Sequence, residues 1–322
     1  MSDIRYAALS EQSGPQDALS LALPLWAVAV GVLVLAVVAV VLLCLYRWRR
    51  KRAAVQKKPA KPWQVARIAV GKVHEQGARE GQQDCFAVSD QALIPTHGLL
   101  AVVADGMGGL ADGDKVSQSV VQAVLDTFLA AQGRGDPEWL LLALARSAVE
   151  AVGRMLGPDN FRTSGSTLVM ALIREGALSF LSVGDSRICL YRGGVLIQLN
   201  REHIYQRELA LRAVNGEISI PEAYASDKGS GLTSFLGMGP LTHIDLPAGP
   251  IRLLPGDRVV LMSDGVYNAL SVQELSQALE GGAGQAAQAI QTAVQAKGYR
   301  DQDNYTAVIL ACGTGDGTED ET

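Results

Sequence analysis

Five aspartates lie at the ends of apolar segments in the second, larger part of this 322-residue sequence. They are Asp84 before CFAV, Asp105 after GLLAVVA, Asp185 after LSFLSVG, Asp264 after RVVLMS and Asp303 before NYTAVIL. If the apolar segments are strands of one sheet core, the carboxylates can converge at its rim, where they would repel one another. A hard divalent cation removes that conflict, because Mg²⁺ and Mn²⁺ prefer carboxylate, carbonyl and water oxygens. The pattern therefore predicts a cation site.

Other kinds of site find little support in the sequence. An Asp-Gly pair taken alone, such as Asp105–Gly106, is typical of a simple turn. The sequence has no Gly-rich phosphate loop that ends in Lys-Ser or Lys-Thr. The histidines and cysteines are scattered and form no zinc motif; they are His74, His97, His203, His243, Cys44, Cys85, Cys189 and Cys312.

Charge is distributed unevenly along the chain. Residues 1–62 carry a net positive charge, and the remainder is acidic enough to make the whole chain net negative. Nucleic-acid binding needs clustered Lys and Arg opposite the phosphate backbone. The acidic main part therefore argues against nucleic acid as a partner.

A long apolar segment precedes the acidic part of the chain. Leu25–Leu45 reads LWAVAVGVLVLAVVAVVLLCL, and about 20 apolar residues suffice for a helix to cross a bilayer. A buried core helix is rarely apolar on every face, and a cleaved signal peptide has a shorter apolar region preceded by positive charge. We therefore expect a transmembrane helix at residues 25–46.

The orientation of that helix follows from the cations beside it. Five Lys and Arg residues lie within residues 47–52, directly after the apolar segment, and the positive-inside rule places that side in the cytoplasm. This predicts a single-pass protein of the inner (cytoplasmic) membrane, with residues 1–24 outside. The basic linker at 47–65 would attract anionic lipid, and the acidic residues 314–322 predict a disordered tail.

The elements that position the aspartates alternate between strands and helices. Apolar runs bounded by Gly, Asp or Pro predict strands at Ala66–Val73, Leu99–Ala104, Thr167–Ile173, Leu178–Val183, Ile188–Tyr191, Arg258–Met262 and Thr306–Ala311. Apolar residues at helical spacing predict helices at Lys115–Ala131, Glu138–Leu156, Val272–Leu279 and Gly284–Lys297.

Turn residues add detail to this pattern. They predict a hairpin of Ala177–Gly184 with Ser186–Arg192, and a second hairpin about Gly193 and Gly194. Residues 200–232 hold no clear strand and predict a long irregular insert. Together the segments predict an α+β fold at residues 66–313, a central two-sheet β-sandwich flanked by helix pairs.

The ordered series of motifs resembles the metal-dependent type 2C protein serine/threonine phosphatase family in its bacterial form. The matching strings are RxxxQD at Arg79–Asp84, ADGMGG at Ala104–Gly109, SGSTLV at Ser164–Val169, VGDSR at Val183–Arg187, EH at Glu202–His203, SGLTSFLG at Ser230–Gly237, LLPGDRVVLMSDG at Leu253–Gly265 and DQDNYTAVIL at Asp301–Leu310. Any one string is a weak signal, but their order and spacing cover nearly all of residues 66–312. The resemblance implies two bridged Mn²⁺ or Mg²⁺ ions at one end of the sandwich, and a third that is loosely held.

The resemblance also implies which residues hold the ions. Asp105 would bridge both core ions, and Gly106 would offer its carbonyl oxygen. Asp264 and Asp303 would complete the ligands of the first ion, and Asp84 would hold waters bound to the ions. Two ions placed in this way lower the pKa of a water between them and clamp an in-line displacement.

Two further roles and three departures follow from the same resemblance. Asp185 would help to bind the third ion, and Arg79 would grip the substrate phosphate with its bidentate fork. Gln83 stands where the family often has Glu, which predicts altered metal affinity. Met107 replaces a histidine that some members have, and Ser234 replaces a basic residue, so the proton donor and the choice of substrate are expected to differ.

The function implied is hydrolysis of phosphoserine and phosphothreonine on cytoplasmic proteins, opposing a bacterial Ser/Thr kinase. Two other hypotheses stay open. One is a catalytically weak metal-binding scaffold, which the loss of a ligand aspartate or of Arg79 would have indicated, and none of these is missing. The other is a phosphatase dedicated to one small regulator, although the predicted outer tail of residues 1–24 is short for a sensor domain.

Overall fold

The structure is a computed structural model that describes residues 67–108, 113–241 and 243–313. Within these ranges no helix is both long and apolar enough to cross a bilayer. The predicted transmembrane helix, its basic linker and the acidic tail all lie outside the described residues, and they stay predictions.

Strands and helices account for most of the described residues. The strands are β1 (Arg67–Glu75), β2 (Asp84–Val88), β3 (Leu99–Gly108), β4 (Ser164–Ser166), β5 (Leu168–Arg174), β6 (Ala177–Val183), β7 (Arg187–Arg192), β8 (Val195–Gln198), β9 (Ile251–Arg252), β10 (Arg258–Met262) and β11 (Tyr305–Gly313). The α-helices are α1 (Ile94–His97), α2 (Gly113–Ala130), α3 (Pro137–Leu156), α4 (Tyr205–Val214), α5 (Ile220–Tyr224), α6 (Asp264–Tyr267), α7 (Val272–Ala278) and α8 (Ala283–Lys297).

The strands form two antiparallel sheets that pack face to face. One sheet has the strand order β1-β11-β10-β7-β8, and the other has the order β2-β3-β5-β6-β9, with β4 paired to the end of β3. Aliphatic side chains from both sheets fill the space between them, among them Leu99, Val169, Leu261 and Val308. The predicted two-sheet sandwich is confirmed.

Helices cover the outer face of each sheet. On one face, Val120 of α2 and Leu144 of α3 belong to the same core cluster as Met170 of β5. On the other, Leu275 of α7 and Ile290 of α8 cluster with residues of β10 and β11. Because both faces of each sheet are buried, the central strands are nearly continuous apolar runs, such as LLAVVA in β3.

Local sequence sets the beginning of these helices. The Asp136 carboxylate caps α3 by accepting a hydrogen bond from the Glu138 N–H at 2.8 Å, and Pro137 occupies the first helical position. Ser271 and Glu274 form a reciprocal capping box at the start of α7. The helix predictions beginning at Glu138 and Val272 therefore lie within a residue of the observed helices.

The predicted hairpin of Ala177–Gly184 with Ser186–Arg192 is wrong. β6 pairs with β5 and β9, whereas β7 pairs with β10 and β8, so the chain crosses from one sheet to the other. Gly184 makes this crossing with a φ of +100°, and a Cβ there would collide with the Thr167 side chain. Locally, a Gly-Asp-Ser turn between two apolar runs resembles a hairpin loop. The second predicted hairpin is confirmed, with Arg192 opposite Val195 in β7 and β8.

The predicted irregular insert at 200–232 is partly helical. It holds α4 and α5, and a single bridge joins Ile204 to Leu232. Only Leu209 of α4 is buried. The apolar stripe that indicates a packed helix is therefore too narrow to be recognised in the sequence.

β1 and β11 are paired along their whole lengths. Arg67 lies opposite Gly313 at one end, and Glu75 lies opposite Tyr305 at the other. A strand of nine residues spans about 30 Å. The loop after β1 and the segment before β11, which carry Arg79 and Asp303, therefore lie at the far end of the sheet from Arg67.

Candidate metal and phosphate site

Two carboxylates lie on adjacent strands at the end of the sandwich. Asp84 begins β2 and Asp105 lies near the end of β3, and the strand register places them directly opposite each other. The Asp105 N–H donates to Thr167 Oγ1 at 3.0 Å, and the Asp105 carbonyl accepts from the Thr167 N–H at 2.9 Å. Opposite residues in an antiparallel pair present their side chains on the same face. The sheet therefore fixes the spacing of this pair.

Two more carboxylates come from the other sheet. Asp264 is the first residue of α6, two residues after the end of β10, and Asp303 lies two residues before β11. Since β10 and β11 are neighbours, both carboxylates lie at the same end of that sheet. A Cβ on Gly265 would collide with the carbonyl of Asn304, so glycine allows the two segments to approach.

A cleft of about 310 Å³ opens between these sheet ends. The predicted site residues that line it are Arg79, Asp105, Gly106, Asp185, Asp264 and Asp303. The lining residues that the sequence did not single out as ligands are Gln83, Met107, Gly108, Thr167, Leu232 and Asn304. The structure thus brings together all but one of the predicted site residues.

The exception is Asp84, which lies behind the wall of the cleft. It is only 5% exposed, and its Oδ2 accepts hydrogen bonds from Ser263 Oγ and Thr306 Oγ1, both at 2.7 Å. Burial raises the pKa of Asp84 to about 6, although these two hydroxyl donors oppose the rise. From this position Asp84 is suited to act through a water rather than by direct contact with a substrate.

The carboxylates raise one another's pKa values. Burial raises the pKa of Asp105 well above its ordinary value, and the charges of Asp84, Asp264 and Asp185 raise it further. Burial, followed by the charge of Asp185, raises the pKa of Asp264 to about 7. In the absence of cations this cluster therefore keeps protons near neutral pH, and it must release them when a cation binds.

The backbone of Gly106 is held close to its surroundings. Its N–H donates to the Gln83 carbonyl at 3.1 Å, and Ser117 Oγ donates to the same carbonyl at 2.6 Å. A Cβ at this position would overlap the carbonyls of Gly113 and Gln83. Only glycine fits here, which is the reason for the Asp-Gly pair that could have been read as a simple turn.

Arg79 reaches the rim of the cleft from the loop between β1 and β2. Its side chain is 58% exposed, and its Nη2 donates to Asp303 Oδ2 at 2.6 Å. The Asn304 amide holds this loop by donating to the carbonyls of Gln76 and Gly81, at 2.7 and 2.9 Å. A guanidinium has five N–H donors, so the ion pair with Asp303 leaves Arg79 able to bind an oxyanion as well.

Sequence reasoning gave no role to Asn304 or Thr167. Both lie inside motif strings, and both are polar residues at the boundary of an apolar strand. Asn304 also accepts a hydrogen bond from the Gln83 N–H at 2.8 Å, and Thr167 Oγ1 lies 2.7 Å from Ser186 Oγ. The sequence signal that could have found them is a polar residue next to an apolar strand. A polar group that the fold buries there is almost always hydrogen-bonded.

Asp185 lies in a charged corner of the cleft. The Tyr267 hydroxyl donates to the Asp185 carbonyl at 3.2 Å, and the Arg187 guanidinium stacks 3.6 Å above the Tyr267 ring. Arg187 Nε in turn donates to Glu202 at 2.6 Å. Burial raises the pKa of Asp185, Glu202 adds to the rise, and Arg187 opposes it. This corner is therefore fixed by an ion pair and a stacked ring.

The donor set of the cleft suits a hard cation. Among the described residues, no three acidic, histidine or cysteine side chains surround a single point closely enough to hold an ion by themselves. An ion here would complete its ligands with the Gly106 carbonyl and with water, and Mg²⁺ keeps several waters when it binds to proteins. None of the described lining residues is histidine or cysteine, so the set fits Mg²⁺ or Mn²⁺ and does not fit zinc.

Comparison with known proteins identifies relatives of the chain. The family described as Protein phosphatase 2C matches residues 70–296. The chain is similar to the serine/threonine phosphatase stp of Listeria monocytogenes, with 28% identity over 215 residues, which covers 66% of this chain and 83% of the relative.

Solved structures share the fold. The structure is similar to the serine/threonine phosphatase PstP/Ppp of Mycobacterium tuberculosis, with 26% identity and a TM-score of 0.63 over 77% of this chain and 99% of that one. It is also similar to the catalytic domain of a PstP in complex with two manganese ions, with 25% identity and a TM-score of 0.62 over 77% of this chain and 99% of that one.

Proposed function

Because the chain belongs to the protein phosphatase 2C family and is a serine/threonine protein phosphatase, we propose that it dephosphorylates cytoplasmic proteins with the help of divalent ions held in the acidic cleft. The observation that carries this proposal is the cleft itself, because four aspartates and Gly106 line it together. The kinase that it opposes would be a Ser/Thr kinase of the same cell.

The ions that fit this cleft are Mn²⁺ or Mg²⁺, in two or three sites. Asp105, the Gly106 carbonyl, Asp264 and Asp303 would hold the core ions, with Asp185 near a further one. When bound, such ions activate a water and stabilise the negative charge that develops on the phosphoryl group. The relative that is solved with two manganese ions supports this assignment.

The chain's own residues bind and orient the substrate. Arg79 stands at the rim, largely exposed, and its planar guanidinium matches two phosphate oxygens with charge-assisted hydrogen bonds. The Asn304 amide and the loop carbonyls that it binds keep Arg79 at that rim. Met107 lines the cleft but has no proton to give, so the serine or threonine oxygen must take its proton from water or from an acid of the cleft.

Hydrolysis by the full-length chain tests the proposal. We expect turnover of a phosphothreonine peptide and of p-nitrophenyl phosphate with Mn²⁺ or Mg²⁺, and loss of turnover with a chelator. Turnover that persists in chelator, or that only Zn²⁺ restores, would contradict the metal assignment. Binding of Mn²⁺ without any turnover would instead indicate a metal-binding scaffold.

We further propose that a transmembrane helix at residues 25–46 anchors this cleft on the cytoplasmic side. The support is the charge-free apolar segment and the cations that follow it. A reporter fused after Thr322 should behave as cytoplasmic, and the protein should fractionate with membranes and resist extraction by salt. Recovery of the intact chain in the soluble fraction would refute the anchor.

A further inference from the structure

We propose that His74 is a positioning residue for the metal site, because it fixes the direction of the Thr306 hydroxyl that holds Asp84. The inference rests on the proposed function and on the position of Asp84 behind the cleft, from which it is suited to act on bound ions through water. His74 lies outside every motif string of the chain.

A chain of hydrogen bonds connects the three residues. His74 and Thr306 lie directly opposite each other on β1 and β11, and His74 Nδ1 is 3.0 Å from Thr306 Oγ1. Thr306 Oγ1 is 2.7 Å from Asp84 Oδ2, which also accepts from Ser263 Oγ at 2.7 Å. One oxygen of the Asp84 carboxylate therefore has two hydroxyl partners, and one of these also contacts an imidazole.

The number of protons on the Ser263 and Thr306 hydroxyls determines which nitrogen of His74 carries its proton. A hydroxyl has a single proton, and an ionised carboxylate can only accept. Ser263 Oγ accepts from the Thr306 N–H at 2.9 Å, so its own proton is available for Asp84. If Thr306 also donates to Asp84, its oxygen can only accept from His74, and His74 must then carry its proton on Nδ1.

The other tautomer would undo this arrangement. With its proton on Nε2, His74 would present a lone pair at Nδ1, and the Thr306 hydroxyl would turn to donate to it. Asp84 Oδ2 would then keep only the Ser263 donor. Two donors on one oxygen hold a carboxylate plane in one orientation more firmly than a single donor can. The tautomer of His74 therefore decides how firmly Asp84 is oriented behind the cleft.

The surroundings hold the imidazole in place. Its ring lies 5.1 Å from the Phe86 ring, centroid to centroid, at a tilt of 58°. Burial lowers the pKa of His74, and the neighbouring Glu75 opposes this effect. A neutral imidazole carries one ring proton, so the choice of tautomer depends on the partner of each nitrogen.

Nuclear magnetic resonance of the imidazole nitrogens tests the tautomer directly. The full-length chain has four histidines, so selective ¹⁵N-histidine labelling gives few signals, and a His74→Asn sample identifies those of His74. We expect the Nδ1–H tautomer with saturating Mg²⁺, when Asp84 is ionised. An Nε2–H tautomer in the presence of Mg²⁺ would overturn the proposal, whatever the activity of the protein.

Paired substitutions test the consequence for the metal site. His74→Asn places an amide donor near the position of Nδ1, whereas His74→Leu removes the donor. By calorimetry we expect Mn²⁺ affinity to fall about tenfold in His74→Leu and less than threefold in His74→Asn, within the range known for groups that orient metal ligands. Combining His74→Leu with Thr306→Val should weaken binding no more than Thr306→Val alone, because both act on one bond.

A matched histidine serves as the control. His97 ends α1, before the start of β3 and thus away from the Asp105 end of that strand. His97→Leu should leave Mn²⁺ affinity unchanged. Equal affinity losses in His74→Leu and His74→Asn, or no loss in either, would overturn the positioning role. If the unmutated chain neither binds Mn²⁺ nor hydrolyses a phosphopeptide, the proposed function fails, and the tautomer measurement still decides the assignment of His74.

Discussion

The two walls of the cleft are built in different ways. The inner wall, made of Asp105 and Gly106 with Asp84 behind it, belongs to paired strands and is tied to its neighbours through backbone hydrogen bonds. The outer wall, made of Arg79, Asp303 and Leu232, belongs to loops and is more exposed. Arg79 and Asp303 are held to each other by an ion pair at 2.6 Å, and such exposed pairs contribute little to stability.

This difference separates two tasks. Ion binding requires donors whose positions vary little, and sheet register supplies that fixed spacing at the inner wall. Substrate binding requires groups that can move to meet a protein, and an exposed arginine on a loop supplies that adaptability. We therefore expect substitutions in the inner wall, and of the ligand Asp303, to abolish metal binding, and substitution of Arg79 in the outer wall to change substrate affinity.

Asp105→Asn should have the largest effect. It keeps the size of the side chain but removes the charge at the centre of the carboxylate cluster. Turnover of a phosphopeptide should fall by roughly 10³-fold or more, together with loss of Mn²⁺ binding in calorimetry. Wild-type rates in this variant would show that the inner wall is not the metal site.

Arg79→Ala should behave differently from Asp105→Asn. Loss of a charge-assisted hydrogen bond costs about 1.5–3 kcal/mol, so kcat/KM for p-nitrophenyl phosphate should fall roughly 10–100-fold, with a raised KM. Mn²⁺ affinity should change little, because arginine holds no cation. If Arg79→Ala lost metal binding as completely as Asp105→Asn, the division between the walls would be wrong.

The stability of the metal-free protein should depend on pH. Asp84 and Asp264 have folded-state pKa values of about 6 and about 7, above the unfolded value of about 3.9. The folded state therefore binds more protons than the unfolded state between those values, and stability falls as pH rises through this window. We expect Tm to drop by roughly 5–10 °C between pH 5 and pH 8 in chelator, and Mg²⁺ to restore more of it at pH 8.

A variant of the cluster provides the control for that measurement. Asp264→Asn should make the decline of Tm with pH shallower. The lowered pKa values of His74 and His203 act in the opposite direction, so the difference between wild type and variant is the informative quantity. A Tm that rises with pH in both proteins would show that the carboxylate cluster does not control how stability depends on pH.

Gln83→Glu should strengthen Mn²⁺ binding, whereas substitutions in the inner wall weaken it, and the change should be smaller. Gln83 lines the cleft beside Gly106, and an added carboxylate increases the negative charge available to a cation. The Mn²⁺ concentration for half-maximal rate should fall about threefold to tenfold. Gln83→Ala, which adds no charge, is the matched control and should not lower it.

Val214→Ser should have the smallest effect. Val214 ends α4 and is 85% exposed, and exposed substitutions usually change stability by less than about 0.5 kcal/mol. The Tm should stay within about 2 °C, and kcat/KM for p-nitrophenyl phosphate within about twofold. A larger fall in kcat/KM for p-nitrophenyl phosphate would mean that α4 supports the cleft rather than lying outside it.

The sequence was most informative where the chain is buried on both sides. The strand Arg258–Met262 has the predicted bounds, and the long helices begin and end within about two residues of theirs, because continuous apolar runs and helical stripes report burial directly. The same logic placed Asp105 and Asp264 at strand ends. It failed at Gly184–Ser186, where two neighbouring strands enter different sheets, since pairing partners are a tertiary property that a local turn signal does not contain.

The candidate site was only partly predictable. The aspartates could be found from their positions beside apolar strands. The position of Asp84 behind the cleft wall, however, depends on hydrogen bonds from Ser263 and Thr306, which are distant in sequence. The ion pair of Arg79 with Asp303 likewise joins residues 224 positions apart. The hydroxyls that hold Asp84 are placed by the pairing of β10 with β11, whose register is decided by the packing of the whole sandwich. The ion pair is made by two loops that meet only in the folded chain.

The full-length pairing of β1 with β11 has a mechanical consequence. Because the strands are antiparallel and Arg67 lies opposite Gly313, tension applied to the chain on both sides of this domain would load the hydrogen bonds of the pair one after another. Such a ladder unzips under low force, whereas a parallel arrangement would share the load across all its bonds in shear. Rupture would begin at Arg67 and travel toward Glu75 and Tyr305. The end of the sheet that carries Arg79 and Asp303 would therefore be the last part of this pair to feel the pull.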